Sequence, residues 1–423
     1  MGKSRRNFIK SSIAVGAGLA LGASSFSSLG QGSGKKVRLA VIGTGSRGNF
    51  LIKHLLRENT TYNTYELVAI CDNYAPHLEK TQGICAEYKS TPKAYSDYKK
   101  LINDRSVDGV ILCTPLHQHA HITIECLEKG IHVLCEKSMA RTIDDVKSMY
   151  DAHIRSGSIL LIGHQRMFSK KYLSAMDRIH AGDFGPVGQI RAYWHRNKDW
   201  RRKVPKDAPH LERQLNWRLY KESSAGLLTE LMSHQIQVAN WALKQVPTSV
   251  QASGSIQFWK DGREVPDNIA AIFNYADGSK CIYDSMNTNR SYGVEEHIIA
   301  DLATLRMETN KLQWDKPNQT IDGPMGVAKM VENIKNGEKK AEPIGGSTWK
   351  PETATKQKPE PIFVGQKGDG TVEELLTFVK FIQQKSVPKW MIKEAYNASI
   401  WTLLTEKAID SGQTITCPEK YVI

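Results

Sequence analysis

Val37-Arg38-Leu39-Ala40-Val41-Ile42 runs directly into Gly43-Thr44-Gly45-Ser46-Arg47-Gly48. The first six residues are short, apolar and partly β-branched, the pattern of a buried parallel strand. The next six spell G-x-G-x-x-G. A helical pattern follows, with Phe50, Leu51, His54 and Leu55 expected on one face. Strand before and helix after is the setting in which this motif binds a dinucleotide. Gly43 permits the tight turn, Gly45 lets backbone approach a pyrophosphate, and Gly48 lets helix and strand pack closely. Thr44 and Ser46 complete the loop. The helix N-terminus offers free N–H groups and partial positive charge, and Arg47 adds a full one.

The chain outward from this loop keeps the same rhythm. Residues 66–71 form a second apolar strand that ends at Asp72, 24 residues past Gly48. A carboxylate there accepts hydrogen bonds from ribose hydroxyls and repels a 2′-phosphate, so NAD is favoured over NADP. Residues 107–113 read as a strand ending in Thr114-Pro115, and Pro115 forces an extended turn. His117, His119 and His121 follow at alternate positions. Their place at a strand-to-helix turn argues against joint ligation, so no metal site is expected. Residues 131–135 form the next strand and end in Glu136-Lys137. Lys137 therefore stands where open α/β sheets bind ligands. Residues 160–163 give a further strand, followed by His164-Gln165-Arg166.

Composition sets limits on the whole. The chain has 423 residues, which predicts two domains. Its formal net charge is +13. No zinc finger, RNA-recognition signature or basic zipper accompanies that charge, so no nucleic-acid partner is expected. The densest basic run is Trp200-Arg201-Arg202-Lys203. Scattered surface lysines, or an anionic substrate or cofactor, account for the excess. The seven cysteines include no C-x-x-C pair, which speaks against a disulfide framework or a cysteine zinc site.

The N-terminus reads as an address. Ser4-Arg5-Arg6-Asn7-Phe8-Ile9-Lys10 fits the twin-arginine export pattern. The weakly apolar stretch 13–21 is too short for a stable span, which needs about 20 apolar residues. No integral membrane segment is expected in the mature chain. Export by the twin-arginine pathway, with a periplasmic destination, follows. The expected domains are a signal and linker over 1–34, a NAD-binding Rossmann domain over 35–165, and a substrate domain over 166–423.

These residues resemble the Gfo/Idh/MocA family, named for glucose-fructose oxidoreductase and inositol dehydrogenase. The matching stretches are 41–48, Asp72, Thr114-Pro115 with His119, Glu136-Lys137, Gly185-Pro186-Val187-Gly188, and Glu230 with His234. The resemblance implies an α/β fold: a doubly wound parallel sheet, then a C-terminal α/β domain with a large, open, mostly antiparallel sheet. Residues 189–194, 249–259, 269–275 and 280–286 read as its strands, with Asp277-Gly278 as a hairpin turn. Helices are expected over 371–384 and 392–411. A homo-oligomer formed through the C-terminal sheet is expected. Ser138 stands where the family usually has proline after the lysine. Ala300-Asp301-Leu302-Ala303 replaces a glycine-rich turn. Residues 314–363 read as long surface loops.

The resemblance, with the chemistry of the residue types, assigns the site. Residues 227–242 predict an amphipathic helix that puts Glu230 and His234, at i and i+4, on one face. Alcohol oxidation needs a base near neutral pH, which suits His234. Lys137 would stabilise developing alkoxide charge. Glu230 would orient His234 or bind a neighbouring hydroxyl. Gly43, Thr44, Gly45, Ser46, Arg47, Gly48, Asp72, Thr114, Pro115, His119, Glu136 and Lys137 would hold the cofactor. His164, Arg166, Tyr172, Trp194, Trp217 and Arg218 are weaker candidates for substrate contact. The aromatic stretches Tyr193-Trp194-His195-Arg196-Asn197 with Trp200, and Asn216-Trp217-Arg218 with Tyr220, suit a sugar ring.

The expected activity is hydride transfer between NAD and a hydroxyl or keto group of a sugar, polyol or glycoside. An NAD-dependent glycoside hydrolase, acting by transient oxidation and elimination, is the alternative. A non-catalytic sugar-binding protein is a third reading, opposed by the intact Lys137, Glu230 and His234. An exported enzyme meets no free NAD pool, so the cofactor is expected to be tightly held.

Overall fold

The computed structural model describes residues 35–104, 106–315, 358–365 and 368–423. The signal segment therefore lies outside the described residues, as does most of the expected loop region, 316–357.

The first sheet is built from β1 (Val37–Ile42), β2 (Tyr65–Cys71), β3 (Lys93–Tyr95), β4 (Gly109–Leu112), β5 (His132–Cys135) and β6 (Leu160–Ile162). All pairings are parallel and the order is β3-β2-β1-β4-β5-β6. The strand order reverses beside β1, which opens a crevice at the carboxyl ends of β1 and β4. Leu39 and Val41 on β1 are fully buried, as are Val110 and Leu112 on β4. Each such side chain contributes about 1.5–3 kcal/mol.

Helices cover both faces: α1 (Ser46–Tyr62), α2 (Ala75–Glu87), α3 (Tyr98–Asn103), α4 (His119–Glu128) and α5 (Ile143–Ser156). The ends of α5 follow from its residues. Thr142 caps it by accepting the Asp145 amide at 3.1 Å, acids fill its first turn, and Gly157 at φ +67° ends it. On α1 the buried side is Leu51, Ile52, Leu55 and Leu56. Phe50 is exposed instead and packs edge-on against His54. The sequence-predicted face was therefore rotated: Leu51 and Leu55 face inward, Phe50 and His54 do not.

The second sheet holds β7 (Val187–His195), β8 (Ser249–Ser255), β9 (Asn268–Asn274), β10 (Lys280–Met286), β11 (Val294–Ala300), β12 (Ala303–Arg306) and β13 (Lys311–Trp314). Its order is β13-β12-β11-β7-β10-β9-β8. Only the β7–β10 pair is parallel. Alternate residues of β9 and β10 are buried, the signature of a sheet covered on one face. Asp277-Gly278 turns between them with Gly278 at φ +88°. The strand expected over 249–259 ends at Ser255, because the amides of Gln257, Phe258 and Trp259 donate to the Asp267 carboxylate instead. The Asp301 and Leu302 amides, in the turn between β11 and β12, donate to the Pro186 and Phe184 carbonyls.

The covering helices are α6 (Lys170–His180), α7 (Ser233–Leu243), α8 (Thr371–Gln384) and α9 (Lys389–Ser411). A π-helical turn, Leu228–Met232, leads into α7. The segment was expected to be amphipathic, yet residues 231–242 are buried on every side. α7 lies between β7, α6 and α9, so no face of it meets solvent. α8 returns to the first sheet, where Phe378 and Ile382 sit within about 3 Å of the space a side chain at Gly109 would need.

Candidate active site

The phosphate loop leaves β1 at Gly43, whose φ of +89° and close approach to the Cys113 backbone, 2.6 Å from a hypothetical Cβ, admit only glycine. Gly48 packs so tightly that a Cβ would lie 2.0 Å from the Gly43 carbonyl oxygen. Gly45 begins α1 without any side-chain capping bond, so the first-turn amides remain available to an anion. Gly43, Gly45, Ser46 and Arg47 line a cleft of about 360 Å³ together with Asp72, Thr114 and Pro115. Thr44 and Gly48 do not line it. Thr44 is fully buried and donates to Asp72 through its amide at 2.8 Å and its hydroxyl at 3.3 Å.

Asp72 is thus held before any ligand arrives. Its other oxygen accepts the Tyr74 amide at 2.9 Å, and His77 Nδ1 lies 3.2 Å from the carboxylate. Burial pushes this carboxyl up, but the bonds from His77, Tyr74 and Thr44 outweigh it and hold the carboxyl below its usual range. An anion at the end of β2, open amides at the start of α1 and an unobstructed Gly45 fit a dinucleotide. His77 was not foreseen, because nothing in the sequence ties it to Asp72.

A second cavity, of about 680 Å³, continues from the first through Ser46, Arg47, Cys113, Thr114, Arg202, Trp217 and Arg218. His119, Glu136, Lys137, Trp194, Glu230 and His234 line it. The structure therefore brings the three residues expected to do chemistry into one cavity beside the phosphate loop. Lys137 leaves the end of β5 and donates to the Glu230 carbonyl at 2.6 Å. The Lys137–Ser138 peptide is cis, and Ser138 is fully buried where proline was expected. His119 lies between the two turns, its Nδ1 2.9 Å from the Ser138 carbonyl and its Nε2 3.0 Å from that of Thr114.

Glu230 does not reach His234. Its carboxylate accepts Arg218 Nε at 2.7 Å, and among the described residues no hydrogen bond joins it to the imidazole. Burial raises this carboxyl, but Arg218 and Lys137 outweigh burial and keep it below its usual range. Lys137 is lowered by burial, partly offset by Glu230 and Glu136. His234 is lowered well below the ordinary imidazole value by burial, then by Lys137, Arg166 and His164. The imidazole is therefore neutral at physiological pH. Among the described residues its buried Nδ1 has no hydrogen-bond partner.

The weaker substrate candidates divide. Trp194, Trp217 and Arg218 line the cavity, and Trp194 stands 5.9 Å from His234, ring centre to ring centre. His164, Arg166 and Tyr172 do not line it. His164 is fully buried behind His234. Arg166 pairs with Glu296 at 3.0 Å and Glu308 at 2.5 Å, and the Tyr172 hydroxyl donates to Glu296 at 2.8 Å. These two are committed to a buried ion-pair network with Glu296 and Glu308, which keeps them from the cavity. Tyr193 and His195 point to the other side of β7, where His195 pairs with Asp284.

Other groups escaped the sequence reading. Arg47 is bound to Glu136 at 2.5 Å, so the phosphate loop and the end of β5 are clasped together. Glu374 of α8 is buried beside them, its carboxyl raised well above normal by burial and by Glu136. Arg202 extends over the phosphate loop and donates to Ser46 Oγ at 3.2 Å. The basic run around it was visible in sequence, its target was not. Among the described residues no cluster of His, Cys, Asp and Glu could hold a metal ion. None of their helices is long and apolar enough to cross a membrane.

Comparison with known proteins fits this geometry. Residues 37–164 match the oxidoreductase family with NAD-binding Rossmann fold, and residues 172–306 match the Gfo/Idh/MocA C-terminal domain. The chain belongs to the Gfo/Idh/MocA oxidoreductase family. Residues 4–22 match the twin-arginine translocation signal sequence. The chain is 31% identical over 199 residues to a glycosyl hydrolase family 109 protein of Stenotrophomonas maltophilia, covering 45% of this chain and 42% of that one. It is 28% identical over 210 residues to an inositol 2-dehydrogenase of Salmonella paratyphi B, covering 49% and 55%. The alignments thus span about half the length of these curated relatives. Among solved structures, the aldose-aldose oxidoreductase from Caulobacter crescentus, complexed with glycerol, superposes with a TM-score of 0.67 at 19% identity, covering 90% of this chain and all of that one.

Proposed function

We propose that this protein is an NAD-dependent oxidoreductase acting on a secondary hydroxyl, or the matching ketone, of a sugar, polyol or glycoside. The observation that carries this reading is one cavity, continuous with the phosphate loop, lined by both Lys137 and His234. The bound nicotinamide supplies the hydride acceptor or donor. Gly45, Ser46 and the first-turn amides of α1 would hold its pyrophosphate, Arg202 would cover it, and Asp72 would take the adenosine ribose. NAD is preferred to NADP because the Asp72 carboxylate repels a 2′-phosphate.

Within the cavity His234 takes the hydroxyl proton at Nε2. Burial and the neighbouring cations keep the imidazole neutral, with a lone pair free to accept, at the cost of basicity. Lys137, fixed by the Glu230 carbonyl, donates to the same substrate oxygen and stabilises its developing negative charge. Glu230 acts through Arg218: the pair sets the cavity wall and keeps a counter-charge near Lys137. Trp194 and Trp217 offer apolar ring faces to a sugar.

A second reading has a specific basis in the Stenotrophomonas maltophilia relative, named as a glycosyl hydrolase. Transient oxidation of a ring carbon would permit elimination of the aglycone; addition of water to the resulting enone and return of the hydride to the ketone would complete hydrolysis and leave the cofactor in its starting state. The twin-arginine signal supports a periplasmic site of action for either reading. There the cofactor is held tightly and regenerated in place, and the C-terminal sheet pairs copies of the chain. Adding sugars and aryl glycosides to purified protein tests both readings. Lasting reduction of the bound cofactor supports the oxidoreductase. Aglycone release without net reduction supports the hydrolase. Neither signal across the panel would refute both.

A further inference from the structure

Resting on that reading, we propose that the substrate carries an anionic substituent, received by Arg196 with Lys198 at the outer wall of the catalytic cavity.

Most of the cations that line this cavity already have partners. Arg47 holds Glu136, Arg201 holds Asp261 and Glu212, and Arg218 holds Glu230. Lys137 donates to backbone carbonyls. Arg202 reaches Ser46 and lines the cofactor cleft as well, where the pyrophosphate supplies its counter-charge. Arg196 and Lys198 remain. They line the catalytic cavity and not the cofactor cleft. Among the described residues no carboxylate lies within ion-pair distance of either.

Position gives this pair its meaning. The chain past the end of β7 stays extended, so Trp194, Arg196 and Lys198 alternate onto one side and all meet the cavity. The Arg196 guanidinium sits 4.9 Å from the Trp194 ring centre. That ring stands 5.9 Å from His234. One aromatic ring therefore separates the unpaired cation from the base, a span that one sugar can bridge. Arg196 is only partly exposed, and burial lowers its pKa, offset in part by Tyr283 but by no carboxylate. Arginine nevertheless stays charged. A half-buried guanidinium without a counter-charge favours an anion, and an oxyanion presenting two adjacent oxygens meets it through two parallel hydrogen bonds. A uronate carboxylate, a sulfate ester or a phosphate ester all offer that chemistry.

The test compares matched pairs on the cofactor-loaded protein: glucose with glucuronate, galactose with galacturonate, and glucose with its 6-sulfate and 6-phosphate. The readout is kcat/KM for reduction of the bound nicotinamide. Tryptophan fluorescence, reported by Trp194 and Trp217, measures binding in parallel. At least one anionic member exceeds its neutral partner by about 10–100-fold, the worth of a charge-assisted hydrogen bond. Which member does so identifies the carboxylate, sulfate or phosphate. Arg196→Gln lowers that anionic-to-neutral ratio at least about tenfold, mainly through KM, while Arg196→Lys retains most of it. Neutral sugars matching or exceeding every anionic partner would overturn this inference and leave the oxidoreductase reading standing. An anion preference that survives Arg196→Gln in folded, cofactor-loaded protein would overturn the assignment to Arg196. No reduction and no binding with any sugar would remove the reading beneath it as well.

Discussion

Two buried imidazoles, His164 and His234, stand with ring centroids 5.8 Å apart. Burial and neighbouring cations hold His164 down at about 3 and His234 well below its ordinary value. Both are neutral in the fold, whereas in the unfolded chain each takes a proton below about pH 6.5. The linkage sign follows: their contribution to stability is present above that pH and lost as pH falls toward the folded values. Each histidine should cost about 1.4 kcal/mol per pH unit below about 6. Urea unfolding at a series of pH values checks this, and His164→Asn should remove about 1.4 kcal/mol per pH unit from the slope. Asp72 carries the other residue-scale prediction. Asp72→Asn keeps the shape of the turn but removes the charge, so the preference for NAD over NADP should fall at least about tenfold by competitive binding. Glu230 shows the limit of reading residues from spacing. Its i, i+4 relation to His234 was legible, but Arg218, twelve residues earlier, claims the carboxylate.

Elements were legible where one physical pattern dominated. The apolar runs of β1, β2, β4 and β5 announced themselves because a parallel strand is buried on both faces. α8 was expected over the residues it occupies, 371–384. Strands β11, β12 and β13 were missed. β11 reads Val294-Glu295-Glu296-His297, and charged residues there hide the strand. Both acids are nonetheless buried, because Glu296 takes Arg166 and Tyr172 while Glu295 takes Thr309 and the Glu308 amide. Long-range partners paid the cost of burial, and no local pattern reports them. The phosphate loop supplies the prediction at this scale. Gly48→Ala places a methyl 2.0 Å from the Gly43 oxygen, a backbone atom that has nowhere to move without opening the loop. The variant should lose most bound dinucleotide and several kcal/mol of stability, roughly 2–4, read by cofactor content and thermal unfolding.

At the scale of the whole molecule, both sheets contribute residues to the cavity lined by Lys137 and His234. The first sheet brings Arg47, His119, Glu136 and Lys137, and the segment from β7 to α7 brings Trp194, Arg196, Arg202, Arg218, Glu230 and His234. The sequence made most of the first group visible through its motifs, since strand ends and glycine loops have local signatures. The closure of Arg202 over Ser46 and the clasp between Arg47 and Glu136 depend on how distant parts of the chain meet. The twin-arginine signal adds a constraint on the cofactor. Export as a folded, loaded protein predicts that denaturing the purified native protein releases about one nicotinamide dinucleotide per chain, detectable by mass spectrometry. His234 is proposed as the base in an oxidation carried out beside that cofactor. The most direct test of that role is the rate at which a reactive sugar reduces the bound nicotinamide in wild type and in His234→Ala at equal cofactor content. The variant is expected to be slower by about 10²–10⁴-fold. Equal rates in the two proteins would contradict it.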